Sequence, residues 1–97
     1  RSVGIEGIQE MALQCGVQPS AVVRLALDLA GIILAAAGLG FSHVVKTTIL
    51  LSDMDLFGTV NEIYARYFTG NFPARETYAV KGLPKNANLE ISMIAAQ

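Results

Sequence analysis

Apolar and polar positions along the chain fall into segments of different period, and the clearest lies near its end. There Leu89, Ile91 and Met93 alternate with Glu90 and Ser92. Successive side chains of a strand point to opposite sides, so this run predicts a strand with one face toward a core and Glu90 on the other. His43 to Leu51 reads HVVKTTILL, a β-branched run bounded by Phe41-Ser42 and Ser52-Asp53, and predicts a buried strand. Leu56, Phe57, Val60, Ile63, Tyr64, Tyr67 and Phe68 recur at i, i+3/i+4 and i+7. That spacing predicts an amphipathic helix over 55–68, with Glu62 and Arg66 on its wet side. Asp53 or Asp55 is its expected cap and Gly70-Asn71 its end. Residues 75–80 and 87–95 both have strand character, separated by the turn-rich Gly82-Leu83-Pro84-Lys85-Asn86.

Ala21 to Ala37 is mostly Ala, Leu and Ile, with Ser20 as the expected N-cap and Gly38 as the expected terminator. This is a helix, yet only Arg24 and Asp28 charge its outer side, and Gly31 sits mid-helix at a cost of about 1 kcal/mol relative to Ala. Such a helix is expected to be covered on most sides. Before it, glycines at 4, 7 and 16 and Pro19 interrupt the apolar positions, which fits short strands joined by turns. The order β-rich, α, β, α, β, β describes a single domain over 1–97, with one sheet and two helices on one of its faces, an α+β layer arrangement.

Composition adds a partner to this picture. Hydrophobic residues make up 53% and charged residues only 15%, against about 25% charged in ordinary domains. Part of that apolar excess is expected to be buried against another chain. A net charge of −1 with scattered Lys and Arg gives no footprint for nucleic acid. One cysteine excludes an internal disulfide, and no Cys/His spacing suggests a metal site, so a reducing compartment, the cytoplasm or an organelle, is expected. The longest uncharged apolar stretch, Leu29 to Ser42, is short of the roughly 20 residues of a membrane span, and no signal peptide is expected at the N-terminus.

Three segments carry a resemblance. VVKTTILLSDMDLFGTVNEIYARYF, the tetrapeptide FPAR at Phe72 to Arg75, and LPKNANLEISMIAA are similar in order and spacing to the Rid (YjgF/L-PSP) family. Arg24, Ala26, Leu27, Ile33, Leu34 and Ala36 to Leu39 fall at that family's helix positions without a gap. Cys15-Gly16-Val17-Gln18-Pro19 resembles the family's SGQIP-like strand, whereas nothing resembles its GPYSQ-like opening, and the segment is shorter than the family's. Residues are therefore expected to be missing there, since a strand is not easily deleted from a compact sheet. The resemblance implies a chorismate-mutase-like fold with a single mixed sheet, a homotrimer with clefts between subunits, and no cofactor. The implied activity is hydrolysis of reactive enamines and imines such as 2-aminoacrylate and 2-aminocrotonate to 2-keto acids and ammonia.

Read by itself, Arg75 is a surface arginine at a strand start, though its planar fork would also suit a carboxylate. The resemblance makes it the anchor of a 2-imino or 2-amino acid. Glu90 by itself is a solvated strand carboxylate; the resemblance places it in the interface cleft, positioning or activating water. Thr77 shares the strand face of Arg75, where many relatives carry cysteine, and is expected to touch substrate. Cys15, at the family's strand serine, and Asn61, in the helix segment TVNEIY, are expected as further cleft residues; Tyr64 is a core aromatic with its hydroxyl at the rim. His43 has no acid or nucleophile in sequence reach. Two rival readings stay open: a keto-acid binding module without turnover, and a translation inhibitor with ribonuclease activity, against which the charge balance argues.

Overall fold

A computed structural model describes residues 2–10, 18–70 and 72–96. Cys15 and the segment around it lie outside the described residues. The elements are β1 (Ser2–Glu10), α1 (Pro19–Ala36), β2 (Val44–Leu51), α2 (Phe57–Tyr64), β3 (Ala74–Ala79) and β4 (Leu89–Ala96). Short 3-10 turns occupy Phe41–His43, Met54–Leu56 and Pro84–Asn86.

The strands form one mixed sheet in the order β1-β4-β2-β3. β4 runs antiparallel to both β1 and β2, while β2 and β3 are parallel, as the α2 crossover between them requires. Strand phase decides which side chains face the helices. Thr47, Ile49 and Leu51 on β2 and Leu89, Ile91, Met93 and Ala95 on β4 are buried, and they join Val23, Ala26, Leu27, Ala30 and Leu34 of α1 and Val60, Ile63 and Tyr64 of α2 in one core. Both helices therefore cover the same face, as the sequence predicts.

The opposite face carries Val45, Lys46, Thr48, Leu50, Glu76, Tyr78, Glu90, Ser92 and Ile94, in the alternate phase of the same ladders. Val45 joins Lys46 on this side because the β2–β4 register shifts between Val44 and Lys46. No element of the chain covers it among the described residues. Val45, Tyr78 and Ile94 are 50%, 51% and 43% exposed.

Several boundaries differ from expectation. α1 begins two residues earlier: Gln18 is its N-cap and Pro19 opens the first turn, where a missing N–H costs nothing, so Ser20 lies inside the helix rather than capping it. Its end is as predicted, with Gly38 at φ 76°. The predicted helix over 55–68 is shorter, because a 3-10 turn at Met54–Leu56 precedes α2 and Ala65 to Tyr67 form a turn after it. Asp53 does cap this segment, accepting from the Asp55 N–H at 2.8 Å. The expected cover over α1 is lacking within the described chain: Leu25, Leu29, Ile32 and Ile33 are 44%, 39%, 65% and 43% exposed. Gly31 has a packing reason, since a Cβ there would stand 3.1 Å from the Phe41 ring, which is itself packed edge-on against Tyr67 and Phe68.

Candidate functional site

Arg75 is half-buried and opens β3 on the helix-covered side, opposite Thr47 of β2 in the parallel ladder. Its guanidinium carbon lies 4.9 Å from the centroid of the Tyr64 ring and 5.7 Å from that of Phe57. Phe57 and Tyr64 are seven residues apart, two turns along α2, so both rings present themselves on one side of the helix. Arg75 forms no ion pair with any described residue. Its charge is held by ring faces, and the N–H groups in the guanidinium plane keep their hydrogen-bonding capacity.

Tyr64 is anchored in turn. Its hydroxyl donates to Thr47 Oγ1 at 3.0 Å, and its ring stacks on Phe68 with centroids 4.5 Å apart. Burial pushes the Tyr64 hydroxyl above the usual tyrosine range, opposed by the Thr47 hydrogen bond and the Arg75 charge. The group stays protonated and donates. Tyr64 is thus a core aromatic, as expected, but its hydroxyl points to the sheet rather than to a solvent rim.

Thr77 follows on the same face of β3, opposite Ile49. Its hydroxyl oxygen is buried and meets no partner among the described residues. Asn61 is exposed on α2 at helical spacing from both Phe57 and Tyr64, which puts it on the same side of that helix.

Glu90 is not part of this grouping. It pairs with Leu50, in the phase opposite to Ile49 and Ile91, and so lies on the open face of the sheet. There Glu76 gathers Lys46 Nζ at 3.2 Å, the Thr48 hydroxyl at 3.3 Å and the Tyr78 hydroxyl at 2.9 Å. Those partners, the Tyr78 hydroxyl first, hold the Glu76 carboxyl below the ordinary carboxylate range. His43 is structural, its Nδ1 accepting from the Gly40 N–H at 3.0 Å to close the turn before β2. Among the described residues no cluster of His, Cys, Asp and Glu could hold a metal ion, and no helix is long and apolar enough to cross a membrane.

Phe57 and Thr47 belong to the grouping around Arg75, although the sequence does not single them out. A signal for each exists, since Phe57 shares the apolar stripe of Tyr64, and Thr47 is the one polar residue in the inward phase of β2.

The profile described as Endoribonuclease L-PSP matches residues 3–97. The 2-iminobutanoate/2-iminopropanoate deaminase of Rattus norvegicus is 57% identical over 74 residues, covering 76% of this chain and 54% of the relative. The chain thus spans about half the length of the curated relatives it matches. The YjgF gene product of E. coli superposes with a TM-score of 0.88 at 33% identity, over 99% of this chain and 80% of that one. E. coli TdcF, solved with bound serine, gives 0.88 at 31% identity, with the same two coverages.

Proposed function

Because the chain belongs to the Endoribonuclease L-PSP (Rid/YjgF) family, we propose that it hydrolyses short-lived 2-imino acids and their enamine tautomers, such as 2-aminoacrylate and 2-aminocrotonate, to 2-keto acids and ammonia. The observation that carries this reading is the seat of Arg75. A guanidinium paired to a protein carboxylate would have spent its fork; one held by the faces of Tyr64 and Phe57 offers two parallel N–H donors to a substrate carboxylate. The deaminase relatives act on 2-imino acids, and the TdcF structure holds an amino acid, ligands that share this carboxylate.

With the carboxylate fixed, the imine carbon is presented for attack by water. Addition gives a carbinolamine, which expels ammonia and leaves the keto acid; no electrons are transferred and no cofactor is required. Glu90 or a backbone carbonyl positions the water. Because such imines also hydrolyse without help, orientation alone supplies much of the acceleration. Thr77 and Asn61 complete the cleft as substrate contacts.

Glu90 and Arg75 meet only if the site forms between copies of the chain. We read the assembly as a homotrimer with clefts between subunits, in which the open sheet face is covered. Exposed Val45, Tyr78 and Ile94 on that face support this.

The test is ammonia release from freshly generated 2-aminoacrylate, with the spontaneous rate subtracted. Arg75→Ala is expected to lose the acceleration. Arg75→Lys should fall at least about tenfold in kcat/KM, since a point charge cannot replace two parallel bonds worth about 1.5–3 kcal/mol. Equal activity in all three proteins removes Arg75 from the mechanism. Inactive wild type that still binds a 2-keto acid favours a binding module.

A further inference from the structure

We propose that Tyr64, tied at its hydroxyl to Thr47, is a positioning residue that fixes the plane of the Arg75 guanidinium, so that substrate affinity depends on a hydroxyl pair that touches no substrate. The inference rests on the reading of Arg75 as the carboxylate anchor. It adds Thr47 and the Tyr64 hydroxyl, to which that reading gives no part.

Thr47 is the starting point. It is the one polar residue buried as a whole among the described residues, set beside the buried Ile49, Leu51, Leu89, Ile91 and Met93. A buried hydroxyl costs free energy unless it is bonded, and valine would fill the same space without that cost. Among the described residues this side chain makes one hydrogen bond, accepted from the Tyr64 hydroxyl 3.0 Å away. Thr47 is also the residue directly opposite Arg75 in the β2–β3 ladder. The strand that carries the anchor is therefore registered against the strand that carries the tie.

The Tyr64 ring is constrained at its tip by Thr47 and across its plane by Phe68, at 4.5 Å and 29°. A ring so constrained presents Arg75 with a fixed electronegative face, at 4.9 Å. An arginine side chain has several rotatable bonds, and bidentate binding requires its fork to lie in the plane of the substrate carboxylate. The attraction of the cation to the ring face selects that plane before substrate arrives and leaves the donors unspent. Phe57, at 5.7 Å, adds a second face but has no hydroxyl and no tie of this kind.

Three variants separate the parts. Tyr64→Phe keeps the ring and cuts the tie, Thr47→Val cuts the tie from the other end, and Tyr64→Leu removes the ring. KM and kcat are measured on 2-aminoacrylate, and the Arg75 Nε–H resonance, which the ring current of Tyr64 displaces, is followed in nitrogen-15-labelled protein. Tyr64→Leu is expected to raise KM roughly threefold to thirtyfold with a smaller change in kcat, and to move the resonance to that of a solvated arginine. Tyr64→Phe and Thr47→Val should each raise KM roughly twofold to tenfold, with no further increase in the double variant, because both remove one bond. Wild-type KM and an unmoved resonance in folded Tyr64→Phe and Thr47→Val overturn the proposal, and these two mild substitutions keep it testable if Tyr64→Leu fails to fold. Arg75→Ala in the same assay separates the two readings. Full activity there defeats the anchor itself, whereas an inactive Arg75→Ala beside hydroxyl variants of unchanged KM defeats only the positioning role.

Discussion

Arg75 and Glu90 stand on opposite faces of one sheet. Arg75 lies opposite Thr47, in the phase that faces the helices, and Glu90 lies opposite Leu50, in the phase that faces away. No side-chain rotation carries either group through a sheet whose central positions, Ile49 and Ile91, are fully buried. A reaction that uses both groups must draw them from different copies.

Together with the proposed homotrimer, that arrangement predicts complementation. If Glu90 rather than a backbone carbonyl positions the water, Arg75→Ala and Glu90→Gln are each expected to be impaired alone in ammonia release. When the two are unfolded together at equal amounts and refolded as mixed trimers, about one quarter of the sites should regain one intact Arg75 and one intact Glu90 from different subunits, by random assembly around a cyclic interface. Recovered activity near that fraction supports a shared cleft. No recovery in mixed trimers of confirmed composition shows that the two residues do not serve one site.

The sequence made much of this frame legible and left its convergence hidden, for a physical reason. Alternation in Leu89 to Met93 correctly put Glu90 on the face away from the core, and the two-residue step from Arg75 to Thr77 correctly put both on one face. Those are local properties of a strand. Which face of β3 matches which face of β4 depends on their registers with β2, a non-local pairing that neither segment encodes alone. The aromatic seat of Arg75 is hidden for the same reason: Phe57 and Tyr64 read as an apolar stripe, and nothing near them announces that an arginine from β3 will lie across it. At the ends of α1 and α2 the competing signals were close in strength, and Pro19 and the Asp53 turn decided the boundaries by one to a few residues.

Thr77→Val should separate stability from binding. The Thr77 hydroxyl is buried without a partner among the described residues, and such an orphan costs about 1–3 kcal/mol. Valine keeps the shape and removes the polar atom, so thermal unfolding of the substituted protein should show a gain of about 1 kcal/mol. If the hydroxyl is kept for a substrate contact beside Arg75, KM for 2-aminoacrylate should rise severalfold in the same protein, the usual trade between stability and function. A loss of stability instead would mean that the hydroxyl finds its partner on assembly.

Tyr67 makes stability sensitive to alkaline pH through its hydroxyl. It donates to Asp28 Oδ1 at 2.7 Å and lies 3.3 Å from the Arg24 carbonyl, so it joins the turn after α2 to α1. Burial, then the hydrogen bond to Asp28 and the Asp28 charge, push its pKa up from 10.0 to about 12. The folded state therefore holds this proton more tightly than the unfolded chain does. Between pH 10 and about 12 the folded protein binds more protons at this site, so stability falls as pH rises through that window and is fully retained below it. Tyr64 and Tyr78 are shifted in the same direction and add to the decline, which makes the comparison with a variant necessary. Tyr67→Phe has no proton to lose at this position and no bond to Asp28. It should be less stable than wild type at pH 9, and the gap between the two melting temperatures should narrow steadily up to pH 12. A gap that stays constant across that range would show that the Tyr67 hydroxyl does not couple the two helices.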